Sequence, residues 1–102
     1  MVHPRVAALL EQGQSIWQDD ISRDQLNSGE LQRTIDEIGI RGLTSNPTIF
    51  QKAISSGSAY DEQIFALLKA GKDAGEIFDA VAIDDIRAAC DLFRPLYDAT
   101  DG

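Results

Sequence analysis

Gly42-Leu43-Thr44-Ser45-Asn46-Pro47-Thr48-Ile49-Phe50 is the stretch that decides how this chain is read. Ile40–Leu43 is a short stretch after Gly39, of a length suited to a strand, with apolar Ile40 at its start and Leu43 closing it. Thr44, Ser45 and Asn46 then place three hydrogen-bonding side chains at the strand's C-terminal end. Pro47 holds Asn46 out of the right-handed helical region. Pro47 itself suits the first turn of a helix, where its missing N–H is not needed. The segment therefore predicts strand, polar turn and helix start, with Asn46 on a stiff turn at the mouth of a sheet. That is where α/β proteins bind their ligands. Two roles for Asn46 stand side by side at this point: an ordinary helix N-cap, or a ligand-facing amide.

Working outward, Pro4–Gln12 has helical spacing in Val6, Leu9 and Leu10, with Gly13 just past its end. Ser15–Asp19 reads as a first short strand centred on Ile16 and Trp17, and Asp20–Leu26 as a helical turn. Asn27 is expected to cap the next helix, with Glu30 three residues on in capping-box fashion. Leu31, Ile35 and Ile38 give that helix one apolar face, and Gly39 ends it. Strand, helix, strand in this order predicts a right-handed parallel βαβ unit. Downstream the pattern is helical. Pro47–Ile54 comes first, then Ala59–Ala70 with Tyr60, Ile64, Leu67 and Leu68 on one side. Asp73–Val81 follows, and then a last helix capped by Asp84 whose face is Ile86, Ala89, Cys90, Phe93 and Leu96. Ser55–Ser58 is the expected loop, and Asp98–Gly102 reads as a turn leading onward.

Composition bounds the function. Over 102 residues, 9 Lys and Arg stand against 17 Asp and Glu, a formal net charge of −8. That balance argues against nucleic acid and against an anionic membrane surface, both of which need a basic footprint. No apolar run approaches membrane-spanning length, and the apolar Val6–Leu10 is broken at once by Glu11, so the start has no signal-peptide pattern. Cys90 is the single cysteine, which suits a reducing cytoplasm. The chain reads as one domain without repeats, yet two parallel strands cannot form a stable sheet alone. A (β/α)8 barrel takes about 250 residues. Residues 1–102 are therefore expected to be a single incomplete domain: the α/β opening of a larger barrel, mostly helical, with two parallel strands.

The motifs carry a resemblance to a known family. Thr44-Ser45-Asn46-Pro47-Thr48-Ile49-Phe50-Gln51-Lys52-Ala53 resembles the transaldolase signature around the second barrel strand, and Ser15-Ile16-Trp17-Gln18-Asp19-Asp20 resembles that family's first strand with its acidic terminus. Ser28-Gly29-Glu30-Leu31-Gln32 and Tyr60-Asp61-Glu62-Gln63-Ile64 match the longer, bacterial type. The resemblance runs over nearly the whole chain. It implies a TIM barrel of the class I aldolase type. It also implies an enzyme of the pentose phosphate pathway that moves a dihydroxyacetone unit between sugar phosphates through a lysine Schiff base, without metal or organic cofactor.

On that resemblance Asp19 is the acid–base residue at the end of the first strand, with Asp20 beside it as the alternative in a one-residue alignment shift. Without the family, both would read as caps of the next turn. Two adjacent carboxylates are too few to hold a metal ion. Asn46 resembles the substrate-binding asparagine, and Thr44 would contact substrate or orient Asp19. The Schiff-base lysine is expected on a strand beyond Gly102, because Lys52, Lys69 and Lys72 read as solvated surface groups and a nucleophilic lysine needs a desolvated pocket. Arg23, Arg33, Arg41, Arg87 and Arg94 are scattered, and His3 is assigned no role. Cys90 reads as a small core residue, and Trp17 and Phe50 as packing groups. Two alternatives remain. One is the related fructose 6-phosphate aldolase, against which the N-terminal helix and the helical block after Ser58 argue. The other is a truncated, non-catalytic piece that self-associates or binds a partner through partly exposed Ile40, Leu43, Ile86 and Phe93. A phosphoglucose isomerase domain could follow in a longer parent chain.

Overall fold

The computed structural model describes residues 2–102. Helix α1 (Pro4–Glu11) has Pro4 in its first turn and is capped by the His3 Nδ1, which accepts from the Arg5 N–H at 3.2 Å. Strand β1 (Trp17–Gln18) follows, then α2 (Arg23–Asn27), α3 (Glu30–Arg33) with a π-helical turn at Thr34–Ile38, and strand β2 (Gly42–Leu43). Three helices complete the chain: α4 (Pro47–Ser55), α5 (Asp61–Lys69) and α6 (Ala74–Thr100). Helix α6 alone has 27 residues and at 1.5 Å per residue is about 40 Å long, which stretches the molecule to 50 × 26 × 21 Å.

The two strands pair in parallel, Trp17 with Gly42 and Gln18 with Leu43. They are shorter than the expected Ser15–Asp19 and Ile40–Leu43, although single bonds extend the ladder at both ends. Arg41 N–H donates to the Ile16 carbonyl and Thr44 N–H to the Gln18 carbonyl, both at 2.8 Å. Gly42 is required here by close approach. A Cβ at this position would stand 2.6 Å from Trp17 Cε2, because the indole lies across the strand backbone. Trp17 does pack as expected, but only on that side, and it is 60 % exposed.

The helical assignments hold in outline and differ in four places. Ser22, not Asp20, caps α2, accepting from the Gln25 N–H at 3.3 Å. Asn27 caps nothing: it is the last residue of α2, and α3 starts from Gly29 in the left-handed conformation, with Ser28 Oγ accepting from the Glu30 N–H. The π-helical turn advances the chain less per residue than an α-helix, so Ile38 rotates off the Leu31 face and is exposed. Gly39, at φ 99°, closes the turn by donating to the Thr34 carbonyl. Finally, Asp73–Val81 and the segment after it are one helix. Asp73 caps it through the Glu76 N–H at 2.8 Å, Asp84 lies mid-helix, and the helix runs through Pro95 to Thr100 rather than loosening into a turn at Asp98.

The core is built from Ile21, Leu31, Ile40, Phe50, Tyr60, Ile77, Val81 and Ala89. Phe50 sits edge-on to both Tyr60 and Phe78, with ring centroids 6.1 and 5.7 Å apart. Ile40 is buried, against the expectation of partial exposure, since it enters this cluster from behind the sheet. Leu68 is exposed, rotated off the Ile64 and Leu67 side of α5. Cys90 is exposed as well. The buried stripe of α6 runs Ile77, Val81, Asp85, Ala89 at four-residue steps, and Cys90 is one residue, about 100° of helix rotation, past it.

Candidate active site

Because β1 and β2 are parallel, their C-terminal ends lie at the same edge, and the residues just past each end meet. Asp19 follows β1 and Thr44 follows β2. The Thr44 hydroxyl donates to Asp19 Oδ1 at 2.6 Å, with both groups exposed at that edge. The backbone bond from Thr44 N–H to Gln18 carbonyl fixes the register that makes this contact possible.

The strand ends at Gln18, and Asp20 is turned away from β2 by its own partners. Its Oδ2 accepts from Gln25 Nε2 at 3.2 Å, and its carbonyl accepts from Gln18 Nε2 at 3.0 Å. Gln18 Nε2 also donates to Gln25 Oε1 at 3.1 Å. The two glutamines thus tie Asp20 down toward α2 and leave Asp19 as the carboxylate turned to β2.

Asn46 is half-buried at the start of α4. Its Oδ1 accepts from the N–H groups of Thr48 at 3.0 Å and Ile49 at 3.4 Å, which makes it the N-cap. The cap uses only the carbonyl, so the side-chain amide protons remain for another acceptor. Both roles open in the sequence are compatible with this one rotamer. Lys52, Lys69 and Lys72 are exposed, and Lys72 pairs with Glu76 at 3.6 Å. Among the described residues no three His, Cys, Asp or Glu side chains come together to hold a metal ion, and no helix is long and apolar enough to cross a membrane.

A second polar cluster joins the start of α2 to α5 and α6. Asp85 is 1 % exposed. Its Oδ1 accepts from Arg23 Nε at 2.9 Å and its Oδ2 from the Tyr60 hydroxyl. The same hydroxyl accepts the Arg23 backbone N–H at 2.7 Å, and the guanidinium lies 4.6 Å over the Tyr60 ring. Gln63 Oε1 accepts from Arg23 Nη1 at 2.6 Å, and Gln63 Nε2 donates to Asp84 at 2.7 Å. Burial, and then the bond to Asp85, push the Tyr60 phenol well above its ordinary range. In the sequence Arg23 is one of several scattered arginines and Tyr60 one of the residues on a helical side. The available signal was Asp85 itself: with α6 taken as one helix, an aspartate falls in register with Ile77, Val81 and Ala89.

Residues 16–102 match the family model described as Transaldolase/Fructose-6-phosphate aldolase. A transaldolase of Trichodesmium erythraeum is 51 % identical over 90 residues, covering 88 % of this chain and 24 % of that protein. A transaldolase of Mycobacterium tuberculosis is 47 % identical over 100 residues, covering 98 % of this chain and 27 % of that one. That of Mycobacterium marinum is 46 % identical over 100 residues, with coverages of 98 % and 27 %. The chain spans about a quarter of the length of these curated relatives. The match takes in both strands, the polar turn at Thr44–Asn46 and all helices after α1, and on it the chain belongs to the transaldolase/fructose-6-phosphate aldolase family.

Proposed function

We propose that residues 1–102 are the opening, incomplete domain of a (β/α)8 barrel and supply part of a transaldolase active site. Asp19 is the acid–base residue, Asn46 binds substrate through its amide, and Thr44 orients Asp19. The observation that carries this reading is the 2.6 Å contact between Thr44 and Asp19 at the shared C-terminal edge of two parallel strands. Barrel enzymes place their chemistry at that edge.

In the proposed reaction a lysine on a later strand attacks the carbonyl of a ketose phosphate and loses water to give a protonated imine. Asp19 removes the proton from the C4 hydroxyl, the C3–C4 bond breaks, and the aldose phosphate leaves. The imine accepts the electron pair, holding the dihydroxyacetone unit until an acceptor aldose takes it. The pathway role, the cytoplasmic setting and the independence from cofactors belong to this same proposal. Transaldolase is favoured over fructose 6-phosphate aldolase because the relatives above carry the former name. The surface formed by Trp17, Leu43, Ile86 and Phe93, which together line one open groove, is apolar enough to favour association, and the remaining barrel is the proposed cover.

Intact-mass spectrometry after incubation with fructose 6-phosphate and borohydride tests this reading. The expected result is no adduct on residues 1–102 and a three-carbon adduct on a protein in which they are followed by the remaining family strands. An adduct on the 102-residue chain would make Lys52, Lys69 or Lys72 the nucleophile and overturn it.

A further inference from the structure

We propose that Arg23, Tyr60 and Asp85 form a positioning device for Asp19. The inference rests on the reading of Asp19 as the acid–base residue, and it assigns a purpose to a buried charge which that chemistry does not otherwise use.

Only Asp20, Ile21 and Ser22 separate Asp19 from Arg23. The first N–H groups of a helix have no partner within it. In α2 the Ser22 cap takes the N–H of Gln25, and the hydroxyl of Tyr60, 37 residues away, takes the N–H of Arg23. That hydroxyl cannot drift, because it donates in turn to Asp85, which is buried on α6. Asp85 is held by Arg23 Nε, so the loop is closed: backbone of Arg23 to Tyr60, Tyr60 to Asp85, Asp85 to the side chain of Arg23. Between this clamp and β1, Ile21 is 1 % exposed and the Asp20 carbonyl is held by Gln18. The backbone on the far side of Asp19 is therefore anchored at three successive points, while Thr44 holds its carboxylate. Tyr60 ahead of α5 and Asp85 on α6 thereby set the position of the group that moves the proton.

The test uses the catalytically active protein that carries these residues, with active sites counted by borohydride trapping. Tyr60→Phe keeps the ring and removes the hydroxyl. Its kcat per trapped site is expected to fall about tenfold or more, with KM little changed, because small displacements of a catalytic group are costly in rate. Hydrogen exchange at residues 19–23 is expected to speed up. In an Asp19→Asn background the same change should have no further effect on the residual rate. A structural role alone would lower the thermal midpoint and the yield of trapped sites but leave kcat per site within about twofold, and that result overturns the proposal. So do independent, multiplying effects of Tyr60→Phe and Asp19→Asn. Full activity in Asp19→Asn alone would instead remove the underlying reading of Asp19. If Tyr60→Phe fails to fold, Arg23→Lys serves in its place, with the same loss in kcat per site expected and the same twofold limit overturning it.

Discussion

The hydroxyl of Thr44 and the carboxylate of Asp19 lie 2.6 Å apart, although 25 residues separate them in the chain. Parallel pairing of two very short strands is what brings them together, so the contact reports the register directly: a slip of one residue in either strand would turn that strand's side chain away from the other. Thr44→Val removes the donor while keeping the β-branched shape. Loss of an orienting hydrogen bond should lower kcat about tenfold in the active protein, and Thr44→Ser should restore most of it. Steady-state kinetics on both variants check this.

Asn46 permits a separation of structure from binding. Asn46→Ala should cost about 1 kcal/mol in urea unfolding, the usual loss for a missing N-cap. Asn46→Asp keeps an oxygen for the N–H groups of Thr48 and Ile49 and should retain stability. It also removes the amide protons, so its KM for the sugar phosphate should rise at least about tenfold if those protons bind substrate. An aspartate variant with unchanged KM would confine Asn46 to capping.

Tyr60 makes stability depend on alkaline pH. Its folded pKa is raised, first by burial and then by the bond to Asp85. Above the unfolded value of 10.0 the unfolded chain loses this proton while the folded chain keeps it. Stability from this group is therefore complete below pH 10 and falls as pH rises further, by up to about 1.4 kcal/mol per pH unit. Urea midpoints measured across this range should decline, and Tyr60→Phe should flatten the decline.

Gly42→Ala should displace Trp17, since the new methyl would stand 2.6 Å from Cε2 of the indole. The ring is already 60 % exposed, so it can swing outward, and the cost should fall near the lower end of the usual 1–3 kcal/mol, roughly, for overpacking. Trp17 is the only tryptophan, and its emission should shift to longer wavelength. Trp17→Ala should abolish most of the stability cost of Gly42→Ala.

The turn at Thr44–Asn46 and the helix start at Pro47 were legible because each rests on local chemistry, a cap and a proline, whereas the pairing of Thr44 with Asp19 was suggested only by the family resemblance. Helix α6 was not legible as one piece. Asp84 reads as the cap of a last, separate helix, whereas in the structure Asp84 and Asp85 both lie mid-helix and are held by hydrogen bonds. The partners come from a distance: Arg23 is 62 residues before Asp85, Tyr60 is 25 residues before it, and Gln63 is 21 residues before Asp84. Propensity at Asp84 was outweighed by tertiary contacts, and the buried network went with it. Cys90 is exposed for a related reason: the buried face of α6 is set by the four-residue stripe that begins at Ile77, not by the local apolar pattern of the later segment.

Arg23, Tyr60 and Asp85 also bear on how this segment can change over time. Removing one member of a buried ion pair strands the other charge and costs about 3–5 kcal/mol, whereas exchanging the whole group for well-packed apolar residues is often neutral or better. Alternative solutions therefore lie several substitutions away, across a valley of poorly folding intermediates. The three residues should be kept or lost as a unit, and drift in this region should run through the exposed positions of α5 and α6 instead.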